Sequence, residues 1–561
     1  MKRRFLFVVF FAAALFNLSA ARPASTHAQE DDFTRLILGE ILDGQNTPVE
    51  GVAITALDGD EAVGETLSQP DGTFILHIDS NSFENLTLQF ERAHFDEQHI
   101  ELNNREVSQL LGGGTVTLDP LTLTRKIGPV FWIVTAIFIA MLAIIAAGRL
   151  HNTLAALLGM SLIFAISYLG EPLSENLFIF EFERSLSYVD WNVIFLIMGM
   201  MIVIAVVERT GIFQWLAFQS YKLSGGRIWL LLIILMFVTG IASAFLDNVT
   251  TMLLMTPITI QIAIALGMNP LALLMPEVFA SNVVGISTLV GTPTNILIGS
   301  YGNISFSDFL VNLTPGVLLS MAGLIGYSLY VYRKDYRVAS DISPKMLERL
   351  EERGQITAPD NLKKAGWIGL GMILLFVFGE HIHLLPSVTA LIGATALMLW
   401  IKPDIEEMIE AVDWTTLVFF ISLFVVVGAV QEVGLISIIA DGIGKMVNGN
   451  LIVAMILIIW LGGILSTVVA NIPFTAAMLP VIGFLTATVP GAETKVLFYC
   501  LSVGSAMGGN GSLIGASANL VTAGISERAG YTISYVYFLK KGFPALIITL
   551  TIATVWLLIR F

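Results

Sequence analysis

Polar residues are sparse in the last three quarters of this chain, and several of them interrupt long apolar stretches. Phe245-Leu246-Asp247-Asn248-Val249-Thr250-Thr251 breaks one stretch, and Ala470-Asn471-Ile472-Pro473 breaks another. Such a break frees carbonyls and an amide side chain to coordinate a cation, and it aims helix N-termini at an anion. A second pair of breaks is Gly291-Thr292-Pro293-Thr294-Asn295 and Gly515-Ala516-Ser517-Ala518-Asn519, where Gly and Pro open the helix and Asn, Thr and Ser supply ligands. Four tips related in pairs would enclose one central site. Two carboxylates fall within the apolar segments, Asp247 and Glu277. At membrane depth each costs about 2.5 to 3.5 kcal/mol, so both are candidates to bind a cation or carry a proton. The competing readings are plain ones: Asp247, Asn248 and Asn471 as helix caps, and Glu277 close enough to a surface to be wet.

The elements that must position these residues are membrane helices. Of the 561 residues, 55% are apolar and only 13% charged, where a soluble chain carries about 25% charged. That excludes a soluble enzyme and a disordered chain. The single cysteine, Cys500, excludes a disulfide framework and cysteine-based metal sites. Apolar runs at 128–148, 152–169, 191–208, 312–332, 366–380, 385–401, 414–431 and 542–560 read as simple spans. Those near 227–266, 270–299, 451–487 and 494–524 are too long or too broken to be single helices, and they contain the breaks. Irregular backbone at membrane depth is tolerated only where it lines protein or water, because each unpaired amide or carbonyl costs several kcal/mol. Met198, Met200 and Met201 read as packing.

An internal repeat relates the breaks. Val189-Asp190-Trp191 recurs as Val412-Asp413-Trp414, and at the same shift Gly211 meets Gly434, Asn248 meets Asn471 and Pro257 meets Pro480. One residue further on, Leu289, Gly291 and Asn295 meet Leu513, Gly515 and Asn519. Charge sets the orientation. The loop 333–365 carries Arg333, Lys334, Arg337, Lys345, Arg349, Arg353, Lys363 and Lys364, which places it in the cytoplasm. Residues 170–190 carry Glu171, Glu175, Glu181, Glu183 and Asp190 against Arg184, which suits the outer face. If 227–266 and 451–487 are hairpins, five crossings separate Asp190 from Asp413, so repeat 1 (128–332) and repeat 2 (366–561) are inverted. Inverted repeats with broken helices belong to secondary transporters.

The N-terminal part differs. Lys2, Arg3 and Arg4 precede a short apolar run and small residues, so 1–28 reads as a signal peptide, or otherwise an uncleaved anchor of the same orientation. Residues 30–120 hold 19 Asp and Glu against three Arg, which is essentially the whole excess behind the net charge of −15. Short alternating stretches bounded by turn residues predict a small exported antiparallel β-sandwich at 31–123. His77, His94 and His99 read as surface residues. The pattern Gly39-x-Ile41, Pro48-x-x-Gly51-Val52 and Asp71-Gly72-Thr73-Phe74 resembles carboxypeptidase regulatory-like (transthyretin-like) domains, which implies a binding or spacer module.

The stretch from Leu246 to Leu254, with Thr256-Pro257 after it, resembles the melanosomal P protein and arsenite-permease-like branch of the ion transporter superfamily, which also holds citrate-transporter-like and sodium/dicarboxylate permeases. The resemblance spans about 430 residues and implies a homodimer with a scaffold and a transport region that moves as an elevator. In the sodium/dicarboxylate branch a Ser-Asn-Thr triplet at each tip binds sodium and carboxylates; here the triplets are Asp247-Asn248-Val249 and Ala470-Asn471-Ile472. Sodium sites at Asn248, Gly291 and Asn295 and at Asn471, Gly515 and Asn519 are what the resemblance implies, whereas hydroxyls to grip a di- or tricarboxylate are absent from both tips. The expected function is Na⁺- or H⁺-coupled transport of a small anion by a multi-pass cell-membrane protein with its N-terminal domain outside. Alternatives are a Na⁺/H⁺ antiporter centred on Asp247, arsenite efflux, and, ranked last, a sensor. No cofactor, nucleotide or nucleic-acid partner is expected, and no P-loop motif appears.

Overall fold

The computed structural model describes residues 35–44, 47–80, 82–83, 85–170, 172, 174, 177–337, 351 and 354–561. The leader 1–28, Glu171, Glu175, Lys345, Arg349 and Arg353 lie outside the described residues. The chain divides into two compact units, one ending at Arg125 and one beginning at Lys126.

Among the described residues of the first unit, eight strands form two sheets. β1 (Leu36–Asp43) pairs with β4 (Thr73–His77), β7 (Thr115–Thr117) and β8 (Leu121–Leu123), while β2 (Ala53–Asp58) joins β3 (Glu61–Leu67) to β5 (Leu86–Glu91), and β5 carries β6 (Gln98–Glu101). Alternate residues such as Ile37, Ile54, Leu76, Leu88 and Phe90 fill the core between them. The sandwich is mixed, where the turn pattern predicts an antiparallel one, because β7 and β8 run parallel to the two halves of β1. The cause is α1 (Asn104–Leu111), a helix the sequence reading did not anticipate. Asn103 and Glu106 start it with a reciprocal capping box, and it returns the chain to the beginning of β1.

The second unit is helical, and ten helices of the described residues are long and apolar enough to cross a membrane. Repeat 1 comprises α2 (Pro129–Ala147), α3 (Asn152–Gly170), α4 (Phe182–Ser187), α5 (Trp191–Glu208), α6 (Ile212–Ser224), α7 (Ile228–Phe245), α8 (Asn248–Ala265), α9 (Leu271–Val284), α10 (Pro293–Tyr301) and α11 (Phe306–Val331). Repeat 2 comprises α12 (Pro359–Phe378), α13 (Pro386–Ile401), α14 (Ile405–Glu410), α15 (Trp414–Glu432), α16 (Leu435–Val447), α17 (Leu451–Leu465), α18 (Asn471–Thr488), α19 (Val496–Gly508), α20 (Ser517–Arg528) and α21 (Tyr535–Arg560). The helices therefore correspond one to one. Gly211 and Gly434, with φ of 78° and 88°, make the same left-handed corner before α6 and α16, a conformation that favours glycine.

Two ion pairs show that the repeats are inverted. Arg184 of α4 donates to Glu432 at the end of α15 at 3.0 Å, and Arg209 at the end of α5 pairs with Glu407 of α14. Each helix thus ends beside the element that precedes the start of the other, so α5 and α15 are antiparallel. A shift of 223 carries Arg184 onto Glu407 and Arg209 onto Glu432, giving the same contact with the charges exchanged.

Helices α2, α3, α5, α12, α13 and α15 pack as one group, and α7 to α11 with α17 to α21 as another. Helices α6 and α16, not foreseen as separate elements, connect the groups. Within the second group α10 packs on α18 and α20 on α8, so each repeat's short helix rests on the other's hairpin. Helices α11, α12 and α21 begin at Phe306, Pro359 and Tyr535, six or seven residues before the expected 312, 366 and 542. Each first turn has a local start signal. Ser305 accepts from the Asp308 amide, Ser534 accepts from the Tyr537 amide, and Pro359 occupies the first turn of α12.

Candidate functional site

The breaks have one architecture in both repeats. After α9 a single tight turn, Gly285–Ser287, leads to extended backbone at Thr288 (φ −128°, ψ 160°) before α10. After α19 the turn Gly509–Gly511 leads to Ser512 (φ −145°, ψ 165°) before α20. The hydroxyls of Thr288 and Ser512 close both ends of each gap: they donate to the carbonyls of Ala244 and Thr467 at the hairpin tips and accept from the amides of Gly291 at 3.1 Å and Gly515 at 3.2 Å. Ser243 and Ser466 add a further bond from each tip to the Ser281 and Ser505 carbonyls, at 3.1 and 2.7 Å. A side chain does not fit at Gly291, where a Cβ would stand 2.3 Å from the Gly285 carbonyl oxygen.

Asn295 and Asn519 hold the gaps shut from within. The Asn295 amide donates to the Ile286 and Thr288 carbonyls at 2.9 and 2.8 Å, and that of Asn519 to Gly509 and Ser512 at 2.7 and 2.9 Å. Each carbonyl oxygen then accepts from the opposite repeat: Ser502 of α19 donates to Asn295 at 2.6 Å, and Asn282 of α9 donates to Asn519 at 3.1 Å. Asn282 also donates to Asn510 at 2.9 Å and accepts from Asn248 at 2.9 Å. These side chains are buried, and their mutual bonds meet the cost of taking amides out of water. The Asn248 tip thus meets the end of α9, beside the break that separates α9 from α10.

Asp247 caps α8, accepting from the Val249 and Thr250 amides at 2.9 Å and from the Thr250 hydroxyl at 2.6 Å. It also lines a cavity of about 420 Å³ with Thr250, Pro293, Ile472 and Ser517 from the four tips. His151, Glu208, Asp413, Thr415 and Thr416 line its other side. Among the predicted site residues, Asp247, Thr250 and Ser517 thus meet at one space. Asn248, Thr251, Gly291, Thr292, Thr294, Asn295, Asn471, Gly515 and Asn519 are buried and do not line it. Thr292 caps α10 and bonds Thr294 at 3.0 Å. The matching positions of repeat 2, Ala470 before α18 and Ala516 before α20, offer no side-chain cap. Glu277 is fully buried, where the competing reading had it wet.

Sequence reasoning missed Asn282, Asn510, Ser502, Glu208 and His151. It also missed Ser243 with Ser466 and Thr288 with Ser512, although a scan for hydroxyls recurring at the repeat shift finds both pairs.

Paired hairpins, broken helices and inverted repeats around a largely apolar cavity with a few carboxylates and hydroxyls in its wall define a polytopic membrane permease. The family model described as "Citrate transporter" matches residues 131–496, and the chain belongs to that family within the ion transporter superfamily. An uncharacterized transporter of Mycobacterium tuberculosis is 34% identical over 76% of this chain and 98% of its own length. The human P protein is 30% identical over 76% of this chain and 59% of its own. The solved YdaH transporter of Alcanivorax borkumensis superposes with a TM-score of 0.50 at 14% identity, covering 77% of this chain and 98% of that one, which speaks for the fold alone. Residues 30–118 match the teneurin TTR-like domain.

Proposed function

We propose that this permease moves a small anion coupled to Na⁺ or H⁺, by alternating access of the hairpin group against the α2, α3, α5, α12, α13 and α15 group. The observation that carries this reading is the composition of the cavity floor. On the repeat 2 side, Ile472 and Ser517 bring the starts of α18 and α20, neither with a side-chain cap, to the cavity. Free amides and the helix dipole there favour an anion. On the repeat 1 side stands Asp247, whose charge opposes an anion until a proton or sodium ion neutralises it. Binding of the two is thereby made mutually dependent.

The arms α6 and α16, set between the two helix groups, support an elevator motion, with the group of α2, α3, α5, α12, α13 and α15 as the static, dimer-forming part. The cavity reaches exposed His151 and Asp413 at the end where Thr357 bonds the Thr210 carbonyl, beside the basic loop. With that loop in the cytoplasm, the conformation is inward-open, the protein sits in the cell membrane, and the N-terminal domain lies outside.

A second reading, Na⁺/H⁺ antiport, is favoured by the same lining: Glu208, Asp247 and Asp413 reach the cavity, and among the described residues no Lys or Arg lines it. One measurement separates the two. In proteoliposomes with an internal pH dye and clamped potential, an imposed Na⁺ gradient alone drives proton flux in an antiporter. Anion symport instead predicts silence until an anion is added, and then flux that depends on Na⁺ or H⁺. Failure of every anion tested, with proton flux on Na⁺ alone, would replace the first reading by the second.

A further inference from the structure

The cavity does not use Glu277. This carboxyl lies on α9 below the break, fully buried between α7 and α8. Thr239 of α7 and Thr259 of α8 both donate to its Oε1, at 3.2 and 3.1 Å, and Oε2 is buried with no hydrogen-bond partner. An ionised carboxylate spreads its charge over two oxygens and needs donors at both. With two donors on Oε1 and none on Oε2, an ionised group would leave half of its charge unmet, whereas the acid, with Oε1 the carbonyl oxygen, leaves only the Oε2 hydroxyl without an acceptor, which is the smaller cost.

Among the described residues no ionic partner compensates a charge here. Helices α7 and α8 carry no titratable side chain. Of the other elements packed on α9, α11 carries Asp308, Tyr327 and Tyr330, α19 carries Tyr499 and Cys500, α20 carries Glu527 and Arg528, and α21 carries Tyr535, Tyr537, Lys540, Lys541 and Arg560. None of them is bonded to Glu277. An unpaired charge in a dry interior is far costlier than a hydrogen-bonded acid.

We propose that Glu277 with Thr239 and Thr259 is a proton-binding site internal to the hairpin group, separate from the cavity at Asp247. All three residues belong to elements that pack together, so the proton travels with them when the group moves. This deepens the transporter reading by placing a proton in the moving body, and it rests on that reading only for the proton's role in coupling.

The test begins with infrared spectra of the purified, reconstituted protein at neutral pH. A protonated-carboxyl band that disappears in Glu277→Gln is expected. In Thr259→Val that band should move to higher frequency, because the carbonyl oxygen loses a donor. A carboxylate band at Glu277, whether or not it responds to Na⁺, overturns the proposal, and so does a protonated band unmoved in Thr259→Val. Glu277→Asp, which keeps the acid, covers the case in which the Gln variant fails to fold, since its band should persist at a shifted frequency. In transport, Glu277→Gln is expected to lose pH dependence. Intact pH dependence with the band assigned would refute the coupling role alone, whereas a band without any transport by the wild type would refute the transporter reading and leave the proton site standing.

Discussion

Asn282 of α9 donates to Asn519 at 3.1 Å across the boundary between the repeats, and Ser502 of α19 returns the contact to Asn295 at 2.6 Å. Each break is thereby braced by the broken helix of the other repeat. The two braces are not equivalent, because Asn282 also bonds Asn510 and receives Asn248 from the hairpin tip. One side chain therefore joins hairpin 1 to the gap of repeat 2.

Replacing Asn282 by Ala leaves the Asn519 and Asn510 carbonyl oxygens short of a donor and the Asn248 amide short of an acceptor. Buried groups left so cost about 1–3 kcal/mol each. Asn282→Ala is expected to lower the unfolding temperature of the purified protein and to abolish transport, whereas Ser502→Ala, which removes one bond, is expected to do less. Equal thermal stability of Asn282→Ala and wild type would show that the brace carries no load.

The ion pair of Arg184 with Glu432 gives a second test, because its repeat-related counterpart has the charges exchanged. Glu432 is 7% exposed and also accepts from the Tyr188 hydroxyl at 2.5 Å, so reversing Arg184 leaves a poorly hydrated carboxylate facing another. Arg184 is about a third exposed, 32%, so water screens part of the loss, and a cost of about 1–3 kcal/mol is expected for Arg184→Glu. The double variant Arg184→Glu with Glu432→Arg should recover most of it, since Glu407 and Arg209 already make that arrangement on the opposite face. Stability is read by thermal unfolding in detergent, and a double variant no better than the single would mean that the surroundings, not the pair, fix the polarity.

How much of this was legible depends on what repeats in the chain. Asn248 with Asn471, Gly291 with Gly515 and Asn295 with Asn519 recur at a nearly constant shift, so the hairpins and breaks stand out in the sequence. Asn282 has Ala506 as its counterpart and Asn510 has Ile286, so neither recurs, and an isolated amide in an apolar helix gives no signal until its partners are known. Helices α6 and α16 escaped for another reason. Each is 13 residues long, too short to span, and lies next to an apolar run that absorbs it. The parallel pairing of β1 with β7 and β8 depends on where α1 returns the chain, which strand alternation does not encode.

Asn248 and Asn471 hold the same place at the two tips, yet the structure gives them different surroundings. Asn248 is tied to Asn282, and the tip before Asn471 has Ala470 where the other has the capping Asp247. Transport by Asn248→Ala and by Asn471→Ala is expected to fall about tenfold or more, a loss of roughly 1.4 kcal/mol or greater in binding. Only Asn248→Ala is expected to lose thermal stability as well. Wild-type uptake in proteoliposomes by both variants would remove the paired-tip site from consideration.

Asp247 has two duties that a single substitution can separate. As a cap it needs acceptor oxygens for the Val249 and Thr250 amides, and as a cavity wall it contributes a charge. Asn retains an oxygen acceptor and is as good a cap as Asp, so Asp247→Asn should fold with stability close to wild type. Without the charge, an anion meets no repulsion at the floor and the requirement for a neutralising cation disappears. Anion binding to Asp247→Asn, measured by calorimetry, is therefore expected to become independent of Na⁺ and pH, while gradient-driven accumulation in liposomes is lost. Binding that keeps its full cation dependence in this variant would reduce Asp247 to a cap and move the coupling site elsewhere in the hairpin group.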